Sequence, residues 1–64
     1  MSVADLDRGV MRVIRRSPGV RADEIADRLG EPVVDVSLSL RRLKRAAKVK
    51  RRGNTRATQY TAVA

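Results

Sequence analysis

The chain has 64 residues, a formal net charge of +8, a pI near 11.5, and neither Cys nor His. A domain of this size buries only about 60% of the surface its unfolded chain exposes, which allows one small core but no large enclosed catalytic cavity. Without Cys or His, disulfide staples and the common transition-metal sites are excluded, so folding must rest on packed aliphatics and no metal or other cofactor is expected.

The first helix is predicted from Ser2, an N-capping residue, to about Arg16. Val3, Leu6, Val10, Val13 and Ile14 recur at helical spacing as its inward stripe. Asp5 and Asp7 sit near the positive end of the macrodipole, and Arg15 and Arg16 near the negative end. Ser17-Pro18-Gly19 breaks the helix, because proline disfavours αR in the preceding residue and glycine permits a left-handed turn. Val20 and Arg21 then read as extended. A second helix of about two turns follows, with Ile25, Ala26 and Leu29 inward and Val20 stapled to Ile25. Arg21 occupies its capping position, which leaves Asp23 and Glu24 to serve the unpaired N–H groups. Gly30 ends it, and only Glu31 separates Gly30 from Pro32, so the next helix starts after a tight turn.

The third helix is expected over residues 32–47, with Pro32 at its first position. Val33, Val36, Leu40, Leu43 and Ala47 form its core stripe, and at about 100° per residue the opposite side collects Val34, Leu38, Arg41, Arg42 and Arg45. Beyond it, Val49 and then Thr58, Tyr60 and Ala62 suggest two strands around a Gly53-Asn54 turn. A four-residue loop from Gly53 to Arg56 would set Val49 opposite Tyr60 and leave Arg52 and Arg56 at the tip. No repeat or linker divides the chain, so residues 1–64 read as one domain.

The charge is unevenly placed. Residues 1 to 35 hold six Arg against seven acids, whereas residues 36 to 64 hold nine Arg and Lys and no acid. A solvated face ordinarily mixes both signs, so this half points to a polyanion partner.

The element order, with V-R-A-D-E-I-A-D-R-L-G at 20–30, Val36, Leu40 and Leu43, and A-A-K-V-K-R-R-G-N-T-R at 46–56, resembles a winged helix-turn-helix. It is similar to the DNA-binding core of small regulators of the ArsR and MarR families. The implied fold class is α+β, three helices plus a C-terminal two-stranded hairpin wing. The resemblance implies that Val33, Val34, Asp35, Ser37, Leu38 and Arg41 face the major groove while Arg52 and Arg56 act in the wing. Arg42, Arg45, Lys48, Lys50, Arg51 and Asn54 complete the set expected on double-stranded DNA. The helix pattern also resembles the left-handed nucleic-acid-binding winged helices, although their proline-rich, Trp-containing wing is missing. Arg21 replaces the usual Ser or Thr cap, and Ala47 stands where Gly often ends the recognition helix.

The expected function is sequence-specific binding of duplex DNA by a transcriptional regulator, with helix 32–47 in the major groove and wing 48–63 on adjacent backbone or minor groove. The alternatives are a nucleoid-type structural DNA binder and a winged helix used for protein or RNA contact. Asp23, Glu24 and Asp27 are the only dense carboxylates, and capping accounts for them better than acid-base catalysis, so no catalytic residue is expected. No apolar run approaches a membrane span and no signal peptide is evident, which suggests a cytoplasmic, nucleoid-associated protein without a membrane partner. A homodimer through the first helix or the chain ends would add a second half-site.

Overall fold

The chain orders itself as α1 (Val3–Arg16), α2 (Ala22–Leu29), α3 (Val33–Arg45), β1 (Val49–Arg52) and β2 (Gln59–Ala62) in a computed structural model that describes residues 2–53 and 58–63. Three helices surround an aliphatic centre made by Val10 and Ile14 of α1, Ile25 of α2, and Val36, Leu40 and Leu43 of α3. The antiparallel pair of strands closes one side with Val49, and Tyr60 and Ala62 pack at the margin. Gly9 lies where α1 and α2 approach closely, since a Cβ there would meet Leu29 at 3.2 Å.

The ends of α1 and α2 follow local chemistry. Ser2 Oγ accepts a 3.2 Å hydrogen bond from the Asp5 N–H, and the helix stops where Ser17 N–H bonds to the Val13 carbonyl. At the start of α2 a guanidinium cannot accept a hydrogen bond, so only half of a capping box forms. The Arg21 N–H donates to Glu24 Oε1 at 3.2 Å, and Arg21 Nε holds the same oxygen at 3.1 Å. Gly30, at φ 65°, ends α2 with the Glu31 N–H bonded to the Ala26 carbonyl.

The limits of α3 differ from the expected 32–47. Pro32 is the N-cap, with φ −60° and ψ 140°, and its carbonyl accepts from the Asp35 and Val36 N–H groups. At the other end Ala47 adopts φ 58°, with its N–H on the Lys44 carbonyl and the Lys48 N–H on the Leu43 carbonyl. This is the paired bonding of a Schellman termination built on alanine instead of glycine. Ala47 is therefore exposed and off the helical stripe. Val33 and Val3 also lie outside the core, at 48% and 60% exposure, because each sits in the first turn of its helix and the packed layer begins one turn later, at Val36 and Leu6.

The hairpin register also departs from expectation. Val49 pairs with Ala62, Lys50 with Thr61, Arg51 with Tyr60 and Arg52 with Gln59. The shift is by two residues, so Val49 and Tyr60 still share a face and the inward-facing set is preserved. Its cause lies outside the hairpin. The Tyr60 N–H donates to the Val20 carbonyl and the Tyr60 carbonyl accepts from the Gly19 N–H, both at 2.9 Å, so the connection between α1 and α2 fixes where β2 sits.

An L-residue in the left-handed region is strained by about 1–2 kcal/mol. Replacing Ala47 by Gly removes that strain without touching the core, although glycine gives up more entropy on folding. Ala47→Gly is expected to raise unfolding stability by roughly 0.5–1 kcal/mol in a urea titration, with the m-value unchanged. A loss of stability would show that the alanine methyl contributes more than the backbone strain costs.

Candidate nucleic-acid interface

The surface opposite the core is set by how α3 is rotated about its own axis. Ser39 lies on the inward side of α3 and is fully buried, so its hydroxyl needs a partner inside the protein. That partner is Asp7 of α1, whose Oδ1 accepts the Ser39 Oγ hydrogen bond. Arg42, one turn along α3, grips the same carboxylate with two bonds, Nη2 to Oδ1 at 2.8 Å and Nε to Oδ2 at 3.2 Å. The Arg42 hydrogen bond is the chief reason that the Asp7 carboxyl is held below its ordinary value; desolvation opposes it, and Ser39, Lys48 and the Arg42 charge reinforce it. The same bond raises Arg42 above its usual range.

This ion pair corrects the placement of Arg42 expected from the sequence. Instead of standing on the outward face, its half-buried side chain turns toward α1 and is committed to Asp7. Asp7 in turn serves the tie between helices rather than only the dipole of its own. The signal for it was present, since Ser39 falls among Val36, Leu40 and Leu43 and a polar group there demands a buried acceptor.

With that rotation fixed, successive 100° steps distribute the remaining side chains of α3. Val34, Leu38 and Arg45 point away from the core, and Ser37, Arg41 and Lys44 incline toward the hairpin. Val34 and Leu38 are 64% and 46% exposed. Arg41, Lys44 and Ser37 line a cleft between α3 and the strands that Arg51 and Tyr60 close from the other side. Lys44 belongs to this group although the opposite-side stripe read from the sequence passes it over. Lys48, Lys50 and Arg52 are exposed along the start of the hairpin, and among the described residues none of the cations from Arg41 to Arg52, apart from Arg42, makes an ion pair. Asp35 stays in the first turn of α3, half-buried, where its charge suits the helix N-terminus. Asn54 and Arg56, expected at the tip of the hairpin, lie outside the described residues.

A second, wider groove runs on the other flank of α3, beside α1. Met11, Leu43 and Val63 form its apolar floor, and Arg8, Arg12, Arg15, Arg16 and Lys48 stand around it.

No family model matches this chain, and no curated protein does. Among solved structures, the chain is similar to the Zalpha domain of Carassius auratus PKZ, determined in complex with Z-DNA. The TM-score is 0.87 at 19% identity, over 98% of this chain and 100% of that one. The fold is a winged helix-turn-helix. In this winged helix α2, the Gly30–Pro32 turn and α3 form the helix-turn-helix, and β1 and β2 form the wing. The expected α+β architecture of three helices and a C-terminal hairpin therefore stands.

Removing the carboxylate strands the buried Ser39 hydroxyl, so Asp7→Ala should destabilise the winged helix by about 1–3 kcal/mol in chemical denaturation. Adding Ser39→Ala to Asp7→Ala should recover part of that loss, because both ends of the bond are then gone. Asp7 is depressed in the folded state, so its contribution is complete above its ordinary value and is lost as the pH falls below about 4. The wild type should therefore lose more stability than Asp7→Ala on acidification through that range. Equal acid sensitivity of the two proteins would rule out the tie as the source.

Proposed function

We propose that this winged helix binds duplex DNA, with the outward face of α3 in the major groove and the wing cations on the adjacent backbone. The observation that carries the reading is the convergence of Arg41, Lys44 and Arg51 on one cleft between α3 and the wing. Arg45 follows Lys44 on the exposed side of α3, and Lys50 and Arg52, on the opposite face of β1 from Arg51, carry positive charge around the wing. A guanidinium on a recognition helix can take the two acceptors of guanine, and exposed aliphatics such as Val34 and Leu38 suit the thymine methyl group. Such a mixture supports sequence-selective readout by a transcriptional regulator over uniform coating of DNA or contact with RNA. It needs no catalytic residue, metal or cofactor, and it fits a protein working at the nucleoid.

The Zalpha neighbour was solved with Z-DNA, which favours a second reading in which the shape of a left-handed duplex is recognised instead. The two differ in what they ask of α3. Base readout makes Val34, Leu38 and Arg41 sensitive to sequence, whereas shape readout leaves them sensitive only to the helical form of the duplex.

Binding to right-handed duplexes from a randomised pool, and to a duplex held left-handed, separates them. We expect an enriched motif on the right-handed arm and, with about five phosphates neutralised, a slope of log K against log salt of about −4.5. Arg41→Ala should weaken the selected site by about 1–3 kcal/mol and relax one base position, while Arg52→Ala weakens all sequences evenly. Preference for the left-handed arm would transfer the assignment to shape, and a salt slope near zero on both arms would remove nucleic acid altogether.

A further inference from the structure

The arginines of α1 are left unexplained by the fold and by the α3–wing face. Counted along the chain, the first 35 residues are close to neutral, but their acids and bases lie in different places. Asp7 is consumed by Arg42, Asp23 and Glu24 pair with Arg21, Asp27 and Glu31 belong to the far end of α2 and its turn, and Asp5 and Asp35 sit in the first turns of α1 and α3. The second half of α1 carries only cations. Arg8, Arg12 and Arg15 follow one another at four and three residues, which sets them along one side of the helix at rises of about 6 and 4.5 Å. All are exposed, and none has an ion pair among the described residues.

Their cost to the helix argues for a ligand. Arg8 with Arg12, and Arg12 with Arg16, are like charges at i and i+4, an arrangement that destabilises an isolated helix. Arg15 and Arg16 are rewarded by the negative end of the macrodipole, but Arg8 and Arg12 lie outside the last turn and gain nothing there. In the groove beside them Met11 and Leu43 are buried and Val63 is the large apolar side chain left exposed, with the cations standing around it. What remains is a row of guanidiniums, the group best suited to phosphate oxygens. Its steps correspond to one or two phosphates along a strand that advances ~3.4 Å per phosphate.

The geometry points to a second phosphodiester-binding surface on α1, so that one molecule holds two duplexes, one on α3 and the wing and the other on the Arg8–Arg12–Arg15 row. The row lies on the α1 flank of α3, beyond the Asp7–Arg42 tie, in a groove that Lys48 and Val63 at the base of the wing also line, whereas the α3–wing cleft opens on the other flank between Ser37, Arg41, Lys44 and Arg51. Bridging of this kind rests on the DNA-binding reading above and adds to it a role in joining DNA segments.

The test uses the full chain and its Arg8→Gln/Arg12→Gln/Arg15→Gln variant, since glutamine keeps helix propensity while removing charge. Affinity for a single short duplex is read by fluorescence anisotropy, and bridging by capture of a labelled duplex on beads carrying an unlabelled one. The wild type should capture the second duplex, and the variant should capture it at least about tenfold less while its single-duplex affinity changes by less than about twofold. A variant that still bridges, or one whose single-duplex affinity falls as far as that of Arg41→Ala, overturns the second surface. So does a wild type that binds one duplex but takes up only polyglutamate as a second partner, which would assign the row to an acidic polypeptide. Light scattering of the free proteins is read alongside, and a wild-type dimer that the variant dissolves would also count against it. Failure of the wild type to bind even one duplex removes the DNA-binding reading itself, together with the bridge built on it.

Discussion

A single carboxylate locks α3 against α1. Asp7 reaches from α1 to the buried Ser39 hydroxyl and to the Arg42 guanidinium one turn further along α3, so two points on α3 are tied to one point on α1. Apolar packing decides which stripe of α3 turns inward, but it is non-directional. A directional bond from a buried hydroxyl tolerates little rotation, since a small turn would leave it unsatisfied in a low dielectric. The stripe of Val36, Leu40 and Leu43 turns Val34 and Leu38 outward, and the tie holds α3 in that rotation and draws Arg42 out of the exposed set toward α1.

The wing depends on a comparable constraint. A hairpin of two four-residue strands is marginal in water on its own. Here β2 has a second neighbour, because Tyr60 exchanges backbone bonds with the Gly19–Val20 segment on one edge while Arg51 pairs with it on the other. Val20 is also buried in the same core cluster as Ile25 of α2, so the wing is referenced to the same helices that position α3. This is why Arg51 meets Arg41 and Lys44 across a cleft at all. The repulsion among these cations is a stored cost that a polyanion would relieve, and the same argument applies to the arginine row of α1.

Charge counted by sequence and charge counted by surface lead to different pictures of this protein. By sequence, the basic half begins at Val36 and everything before it is balanced. In space, four of those seven acids lie in α2 and its turn, Asp7 is taken by the tie, and Asp5 and Asp35 sit in the first turns of α1 and α3, so the only charged residues in the later turns of α1 are arginines. Arg42 moves the other way, from an apparent contact residue to a structural one. Among the described residues the unpaired cations thus gather mainly on two flanks of α3, the cleft toward the wing and the groove beside α1, with Lys48 at the base of the wing lining the latter.

The element order, the inward residues Leu6, Val10, Ile14, Ile25, Val36, Leu40 and Leu43, and the resemblance to a winged helix-turn-helix were determined by the sequence alone. Periodicity and turn residues are local properties, and a stripe of aliphatics at three and four residue spacing has one way to be buried. Exposure of Val34 and Leu38 follows from the same arithmetic. The commitment of Arg42, the role of Asp7, the admission of Lys44 to the cleft and the two-residue shift of the hairpin were decided only by tertiary structure. Each depends on a partner in another element, 7 to 40 residues away: Asp7 for Arg42 and Ser39, Arg51 of the wing for Lys44, and Val20 for Tyr60. Spacing within a helix or hairpin carries no information about which distant group will satisfy a buried hydroxyl or an unpaired strand edge, because that choice is made by the packing of whole elements against one another.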